Sequence, residues 1–372
     1  MELEFDYHKK MEVELRNVMI LWLIVLLSLC YCYAIGKKIS KGIKRLLFVL
    51  PVIVLFVYLP LNLYSFHLSF FTSFFICFLG NLKLLLFAFG EGPLSSDPSM
   101  SLADFLAVAS LPIQLRKNPP LNGQNKNHPS PENPKNGSTI LTYAIQGLLL
   151  AMVIYINTNY WEYIHPKMLM SFVSLHSALL IQTTLAVISA LAGALLGVEL
   201  EPNFNEPYLS TSPQNFWGRR WNLMATNILH LSVYQPAKKM FTRVLGCRWA
   251  TPSAVVATFL VSGLFHELMF YHSMRMKPTG ELTLCFFLLQ GICVAVEIEL
   301  KKTFKKWHFP WSISVLLTFG LLIVTTYWLY FSPMKRYKAY DRVLDEYGAI
   351  SAFFNNVILC FGFVRNHLCY CL

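Results

Sequence analysis

A histidine and a glutamate stand side by side inside the apolar run FLVSGLFHELMFYH (259–272). Ionisable side chains within an apolar helix are costly and usually mark a functional site. Histidine is also the common general base for removing a proton from a hydroxyl group. We therefore take His266 as a candidate catalytic base and Glu267 as a supporting group. The alternative is a structural histidine that is hydrogen-bonded between helices.

Two adjacent arginines lie between tryptophans in NFWGRRWNLMATN (215–227), although only 14% of the residues in this chain are charged. Guanidinium groups bind phosphates through paired hydrogen bonds, so Arg219 and Arg220 can hold a phosphorylated ligand. Trp217 and Trp221 can stack on an aromatic base of such a ligand or anchor the segment at a membrane surface. A lipid-phosphate anchor or an internal salt bridge explains the two arginines equally well.

Other common chemistries lack their motifs. A His-Glu-x-x-His zinc site needs a second histidine at position 270, where the sequence has Phe270. The sequence has no G-x-S-x-G, G-x-x-x-x-G-K-[ST] or G-x-G-x-x-G motif, and no histidine has an aspartate five positions on. The nine cysteines show no C-x-x-C spacing, and we expect neither a metal site nor a resident cofactor. Besides the His-Glu pair, the ionisable residues at mid-span are Lys83 and His176, which disfavours a transporter.

Long apolar runs must carry these residues, because 55% of the chain is hydrophobic and the mean hydropathy is +0.47. About 20 residues of apolar helix cross the hydrocarbon core of a membrane. The runs predict transmembrane helices near 18–35, 46–64, 66–90, 140–158, 168–198, 252–272, 281–300 and 312–331, and a shorter run at 353–364 can be re-entrant. The sequence thus predicts an all-α polytopic membrane protein with about eight to nine transmembrane helices.

The basic residues gather in the loops between these runs, and the net charge is +11. Cytosolic loops carry an excess of Lys and Arg. When the spans are counted from the first loop, the basic clusters at 37–45, 219–248 and 301–306 all fall on one side, which we assign to the cytosol. The acidic N-terminal tail then faces the lumen. A basic loop at 335–342 is a mild exception that nearby acidic residues nearly balance.

The chain is interpreted as a single domain over 1–372 with two distinctive segments. Residues 112–139 are rich in Pro, Asn and Gly, which predicts a disordered cytosolic loop. Residues 199–251 contain the F-W-G-R-R-W-N motif and end in AKKMFTRVLGCRW, where basic residues alternate with apolar ones. This pattern is typical of helices that lie at a membrane surface. Lys238 and Lys239 are further candidates for binding an anionic ligand there.

Several blocks of the sequence resemble one family. The blocks NEPYLSTSPQNFWGRRWNLM, NILHLSVYQP, VSGLFHELMFYH and KLLLFAFGEGPLS, with the first basic loop and its flanking spans, are similar to the plant wax synthases. These long-chain-alcohol O-fatty-acyltransferases belong to the membrane-bound O-acyltransferase superfamily. The resemblance runs over nearly the whole chain. An F-W-x-R-R-W-N block with a later membrane-embedded His-Glu is specific, whereas either block alone is weak.

The resemblance implies a helical bundle with an internal tunnel that meets the catalytic His266 from both faces, and a catalytic Asn222 upstream. It implies an enzyme of the endoplasmic reticulum membrane that forms a wax ester from a long-chain fatty alcohol and a fatty acyl-CoA. Close relatives esterify sterols or transfer acyl groups to diacylglycerol, so these acceptors stay open. A non-catalytic lipid-binding membrane protein with the same fold is an alternative of a different class.

Each candidate residue has a role in such a reaction. His266 would take the hydroxyl proton, and Asn222 would hydrogen-bond the histidine or the developing oxyanion. Ser262 lies one helical turn before His266 and can be its hydrogen-bond partner. Since no serine or cysteine is placed as a nucleophile, we expect direct transfer in a ternary complex. The residues expected to hold acyl-CoA at a cytosolic mouth are Arg219, Arg220, Trp217, Trp221, Lys238 and Lys239.

Overall fold

The computed structural model describes residues 2–97, 99–116, 136–160, 163–275, 277, 280, 285–304, 309–331 and 342–348. Over these residues the backbone forms helices and loops, and its extended pairing is limited to one antiparallel bridge between Leu115 and Leu200. The predicted all-α class is therefore confirmed.

The helices follow the apolar runs of the sequence. They are α1 (Glu2–Lys38), α2 (Ile43–Tyr58), α3 (Phe66–Thr72), α4 (Asn81–Phe89), α5 (Leu102–Ser110), α6 (Asn136–Asn159), α7 (Pro166–Leu196), α8 (Pro213–Arg219), α9 (Leu223–Leu229), α10 (Gln235–Met274), α11 (Leu288–Thr303) and α12 (Trp311–Thr325). Short π-helical segments, Ser73–Gly80, His230–Tyr234 and Thr326–Phe331, join or extend them. Residues 342–348 form one more helical segment.

Within the described residues, 7 helical stretches are long and apolar enough to cross a membrane. They are Glu12–Lys38, Ile43–Asn62, Phe66–Phe89, Leu141–Asn159, Phe172–Leu196, Leu223–Met274 and Trp311–Leu329. Each of them overlaps a run predicted from the sequence. The predicted span at 281–300 overlaps α11, which has 16 described residues. Residues 281–284 and the run at 353–364 lie outside the described residues.

The stretch Phe66–Phe89 is the central span of the bundle. In its most apolar window 83% of the residues are buried, against 33% or less in the other candidate spans. A helix that is apolar on every face belongs in an interior, and the π-helical part Ser73–Gly80 is buried at each residue. α10 packs directly against this span. The helix that carries His266 is therefore held against the centre of the molecule.

The buried lysine at position 83 has a structural explanation. Lys83 lies in α4 and is fully buried. Its Nζ donates hydrogen bonds to the backbone carbonyls of Val108 at 2.6 Å and Leu111 at 2.8 Å. These carbonyls end α5, and a cation is favourable at the C-terminal end of a helix. Lys83 thus joins two helices by capping one of them.

Contacts between loops bring several helix ends together at one end of the bundle. Glu14 in α1 accepts hydrogen bonds from the backbone N–H groups of Tyr64 and Ser65 at 2.9 and 2.8 Å. Arg275, directly after α10, donates to backbone carbonyls at positions 61 and 63 of the same turn. The charge pattern predicts that all of these segments face the lumen. The contacts between these helix ends are therefore consistent with the predicted topology, in which the spans alternate in direction.

The first residues of the predicted disordered loop are ordered. The backbone N–H of Arg116 donates to Glu199 at 3.0 Å, and that of Glu201 donates to Gln114 at 2.9 Å. These bonds align 114–116 with 199–201 as a short antiparallel pair. At the other end of the loop, α6 begins at Asn136. Residues 117–135 lie outside the described residues.

Candidate active site

His266 lies in α10, one helical turn after Ser262. Its Nδ1 is 2.8 Å from the backbone carbonyl oxygen of Ser262. Because a carbonyl oxygen only accepts hydrogen bonds, this contact requires the proton to be on Nδ1. In the neutral imidazole the lone pair is then on Nε2, which can accept a proton. Ser262 thus contacts the candidate base through its backbone.

Two phenylalanine rings lie beside the imidazole of His266. The centroid of Phe287 lies 4.3 Å from that of His266, and the centroid of Phe78 lies 6.3 Å from it. Phe78 in turn stacks on Phe265 at 4.6 Å. These rings offer no hydrogen bonds to water, so the surroundings favour a dry site. Phe78 and Phe287 were not predicted to lie at the site, because nothing in the apolar runs distinguishes them from the many other aromatic residues there.

Glu267 follows His266 in the sequence and is buried, with 8% of its surface exposed. Successive residues of a helix point in directions about 100° apart, so neighbours in sequence do not face each other. Glu267 therefore lies on a different face of α10 from His266. A supporting role for its carboxylate must act through the packing of α10 rather than through direct contact with the imidazole.

Asn222 occupies the N-terminal cap of α9 in a left-handed conformation, with φ 44° and ψ 62°. Asparagine tolerates this region better than most residues that have a side chain. Its Oδ1 accepts a hydrogen bond from the N–H of Ala225 at 3.3 Å, and the next residue, Leu223, donates its N–H to Asn203. Asn222 and His266 are not hydrogen-bonded to each other. The cap uses only Oδ1, so the two amide N–H donors are not part of it.

Trp217 connects the Asn222 region to the aromatic surroundings of His266. The hydroxyl of Thr226 in α9 donates to the carbonyl of Trp217 at 3.0 Å. The indole ring lies 5.8 Å from Phe259 and 6.5 Å from Phe287, the ring that contacts His266. Trp217 is thus packed among protein side chains. This placement favours a structural role, and stacking of its ring on a ligand stays a prediction.

A buried glutamine holds Trp217 in place. Gln290 is fully buried in α11, and its Oε1 accepts a hydrogen bond from the indole N–H at 3.1 Å. Its Nε2 donates to the hydroxyl of Thr325 at 2.9 Å. One side chain therefore ties α8, α11 and α12 together beside the candidate base. Gln290 is not among the residues predicted from the sequence, although it is the lone amide in the apolar run CFFLLQGICVAV, which is a signal for a buried polar contact.

Trp221 also packs on protein rings. It stacks on Phe216 with centroids 5.4 Å apart and an interplanar angle of 17°, and Phe204 lies 5.2 Å away at a steep angle. These contacts hold the turn between α8 and α9 against the preceding loop. The prediction that Trp221 stacks on a ligand stays untested.

The two adjacent arginines differ in their surroundings. Arg220 donates through Nε to Asn215 Oδ1 at 2.9 Å, and through Nη1 to the carbonyls of Asn205 and Glu206 at 3.1 and 3.0 Å. Arg219 is exposed, and it forms no hydrogen bond or ion pair among the described residues. Arg220 therefore braces the loop before α8, and Arg219 is the one available to bind a ligand.

Lys238 and Lys239 lie further along, near the start of α10, and both are exposed. The Nζ of Lys238 lies 5.7 Å from the centroid of Tyr234, in a weak cation–π contact. The structure thus places these lysines on an outer helix surface, while Trp217 and Trp221 face the interior.

Comparisons with known proteins show the family of this chain. Residues 200–289 match the model of the membrane bound O-acyl transferase family. Acyl-CoA–sterol O-acyltransferase 1 of Arabidopsis thaliana is 41% identical over 337 residues, which cover 89% of this chain and 94% of the relative. Probable long-chain-alcohol O-fatty-acyltransferase 3 of the same plant is 39% identical over 359 residues, covering 96% and 97%. The long-chain-alcohol O-fatty-acyltransferase of Simmondsia chinensis is 38% identical over 346 residues, covering 91% and 95%.

The matched region contains both candidate catalytic residues, Asn222 and His266, and the loop that Arg220 braces. The relatives align with nearly all of this chain, so the similarity includes the helices around the site as well as its motifs. The resemblance seen in the sequence is therefore confirmed. The chain is a multi-pass membrane protein that belongs to the long-chain-alcohol O-fatty-acyltransferase (wax synthase) family of membrane-bound O-acyltransferases.

Proposed function

We propose that this protein transfers a fatty acyl group from acyl-CoA to the hydroxyl of a lipid alcohol, with a long-chain fatty alcohol as its main acceptor. The observation that carries the proposal is the state of His266, whose Nδ1 proton is held by Ser262 and whose Nε2 is left as a base among phenylalanine rings. The names of relatives that are 38–39% identical support a fatty alcohol as the acceptor.

The reaction needs one proton carrier. Nε2 of His266 takes the proton of the acceptor hydroxyl while the oxygen attacks the thioester carbonyl. The carbon–sulfur bond then breaks, and the imidazolium returns the proton to the departing CoA sulfur. The products are an ester and free CoA, and no covalent acyl-enzyme is formed. A site without water is needed, because water would otherwise compete as the acceptor.

The amide of Asn222 is proposed to stabilise the oxyanion that develops on the thioester carbonyl. Its N–H groups are not used by the α9 cap, and hydrogen-bond donors near a developing oxyanion typically contribute a factor of about 10²–10³ in rate. Because no hydrogen bond joins Asn222 and His266, each side chain is proposed to contact the substrate on its own. Glu267 is proposed to support the position of His266 through the packing of α10.

Arg219 is proposed to bind the phosphates of acyl-CoA on the cytosolic side. It is exposed next to the braced Arg220 and has no carboxylate partner among the described residues. Acyl-CoA is the co-substrate, and we propose that the protein has no resident cofactor or metal. We also propose the endoplasmic reticulum membrane as its location, which a fluorescent fusion imaged beside a marker of that membrane would test.

The central test is replacement of the candidate base. His266→Ala and His266→Gln, in yeast microsomes supplied with palmitoyl-CoA and hexadecanol, should lower ester formation by about 10²–10⁴. Protein level and membrane insertion should match the wild type. Near-normal turnover in well-inserted variants would refute the role of His266. A wild-type protein that forms no ester from any acceptor would favour the non-catalytic alternative.

A sterol acceptor is a second candidate, because the relative that is 41% identical is named as a sterol O-acyltransferase. Microsomes containing the wild-type protein should be offered hexadecanol, sitosterol and dioleoylglycerol in parallel, each with palmitoyl-CoA. The proposal requires the highest kcat/KM with hexadecanol. A higher value with sitosterol would move the protein to sterol esterification without changing the role of His266.

A further inference from the structure

The first part of α10 is separate from the part that carries His266. Gly246 interrupts the helix with φ 79° and ψ 168°, far from helical values. We call the preceding helical part, residues 235–245, the α10 arm. After Gly246 the chain continues into the long apolar run with the candidate base. The α10 arm therefore lies where the chain enters the membrane.

The α10 arm has a basic face and an apolar face. At about 100° per residue, the basic residues Lys238, Lys239 and Arg243 fall within one arc of the helix. Met240 and Val244 fall on the opposite side, and they are 53% and 72% exposed. Apolar side chains exposed beside a row of cations are typical of helices that lie in a membrane interface.

The positive charge of the arm is not balanced by nearby carboxylates. The sequence has no Asp or Glu between Glu206 and Glu267. In contrast, two lysines at the end of α11, also on the predicted cytosolic side, are paired within their own helix: Lys301 lies 2.5 Å from Glu297, and Lys302 lies 2.7 Å from Glu299. Among the described residues, no such pair involves the α10 arm.

We propose that the α10 arm binds anionic phospholipids of the adjoining leaflet, with Met240 and Val244 in the acyl-chain region and the basic face at the headgroup phosphates. The two faces together fit a phospholipid, which offers an anionic headgroup beside its acyl chains, better than a soluble phosphate compound, which offers the anionic group alone. This proposal assigns Lys238 and Lys239 to lipid headgroups instead of acyl-CoA.

Binding can be measured on the full-length protein without turnover. Protein in an uncharged detergent is titrated with dioctanoyl phosphatidylserine, and the rise in melting temperature gives an apparent affinity. The triple variant Lys238→Gln/Lys239→Gln/Arg243→Gln should weaken this affinity on the order of 100-fold, since each charge near an anionic surface contributes about fivefold. Met240→Gln/Val244→Gln should weaken it as well. The control Lys301→Gln/Lys302→Gln should leave it unchanged, because those lysines are already paired.

Dioctanoyl phosphatidylcholine and inorganic phosphate serve as probes that lack, respectively, the net charge and the acyl chains. The proposal requires that neither reproduces the effect of phosphatidylserine on the wild type. Equal affinities of the wild type and the triple variant for phosphatidylserine would overturn it, and so would an equal response to phosphatidylcholine. A triple variant with normal phosphatidylserine binding and a raised KM for acyl-CoA would instead assign the arm to the acyl-CoA site.

Discussion

A single backbone carbonyl sets the proton pattern of His266. Ser262 holds the proton on Nδ1, and the lone pair is thereby left on Nε2. Because Ser262 is four residues earlier in the same helix, this hydrogen bond forms without a contribution from any other element. The base is then ready in any conformation that keeps this turn of α10 helical.

Asn222 has a structural and a proposed catalytic role that substitutions can separate. Asn222→Asp keeps an oxygen that caps α9 but removes the amide N–H donors, and the left-handed backbone still suits aspartate. We expect near-normal melting temperature and a loss of turnover of about 10²–10³. Asn222→Gly, which keeps the backbone but removes the side chain, should lower both. Preserved turnover in Asn222→Asp would leave the residue with the cap alone.

Arg219 and Arg220 should respond differently to the same substitution. Arg219→Gln should raise the KM for acyl-CoA by tenfold or more, since a charge-assisted hydrogen bond contributes about 1.5–3 kcal/mol. The KM for hexadecanol should stay constant, and Arg219→Lys should restore only part of the affinity. Arg220→Gln should instead lower the melting temperature and the turnover with all substrates, because it loses three internal hydrogen bonds. Identical effects of the two variants would contradict this division.

The residue types of the site could be predicted from the sequence, but their partners could not. The sequence points to His266 by its residue type and apolar context, and to Asn222 by resemblance alone; the catalytic role of each stays a prediction. The brace at Arg220 depends on backbone carbonyls 14 and 15 residues away, and the bond of Trp217 depends on Gln290, 73 residues away. Only the three-dimensional packing of the loops decides which of two adjacent arginines is left exposed.

At the scale of the elements, α8 and α11 meet beside the candidate base. The bond from Trp217 to Gln290 and that from Gln290 to Thr325 cross three helices in a buried apolar region. A buried amide without partners costs free energy, so the network favours one arrangement of these helices. Phe287 lies one turn before Gln290 in the chain, so the same arrangement fixes the ring that contacts His266.

The bond between Trp217 and Gln290 can be tested by a double-mutant cycle. Trp217→Phe removes the indole N–H, and Gln290→Leu removes the amide while filling a similar volume. Each change alone should lower kcat more than it raises the KM for hexadecanol, because the position of the ring beside His266 is disturbed. The double variant should lose less than the sum of the single losses, with a coupling of about 0.5–3 kcal/mol.

Additive losses would show that the two side chains act independently. Gln290→Glu gives a further control, because a protonated carboxyl in this apolar place can still bond with both partners. It should keep more turnover than Gln290→Leu. Equal turnover of the two Gln290 variants would contradict a role for the hydrogen bonds.

Hydrophobic length predicted the elements well, because a membrane span must be both long and apolar. The sequence did not predict the break at Gly246 or the π-helical turn Ser73–Gly80. A single glycine among alternating basic and apolar residues is compatible with a continuous helix, so the sequence does not mark the break at Gly246. A π-helical segment has no apolar period that distinguishes it from an α-helix. Likewise, the sequence places Lys83 at mid-span but does not predict its hydrogen bonds to the end of α5.

At the scale of the whole molecule, a segment near the C-terminus contacts the end of the bundle that is predicted to face the lumen. The helical segment 342–348 carries Glu346, which accepts hydrogen bonds from the backbone N–H groups of Phe66 and His67 at the start of α3. The carboxylate also contacts Nδ1 of His67 at 2.6 Å. A carboxylate at a helix N-terminus is favourable, so this contact joins the last described part of the chain to the central span.

The contact makes stability depend on pH. Burial raises the pKa of the Glu346 carboxyl. The hydrogen bonds with His67 and with the backbone of Phe66 lower this pKa by more than burial raises it, so the pKa lies below its ordinary value of 4.5. A carboxyl whose pKa is lower in the folded than in the unfolded protein stabilises the fold. This stabilisation is fully present at a pH above the unfolded-state pKa, and it is lost as the pH falls through the folded-state pKa. Glu346→Gln should therefore destabilise the protein near pH 7, by about 1–3 kcal/mol.

The difference in melting temperature between the wild type and Glu346→Gln should shrink as pH falls below 4.5, because the wild-type carboxyl then becomes neutral as well. Thermal unfolding of purified protein in an uncharged detergent, recorded over a pH series, measures this difference. The neighbouring Asp345 is exposed, so Asp345→Asn should change the melting temperature little at any pH. A difference for Glu346→Gln that stays constant across the series would show that the ionised carboxylate does not hold this end of the bundle together.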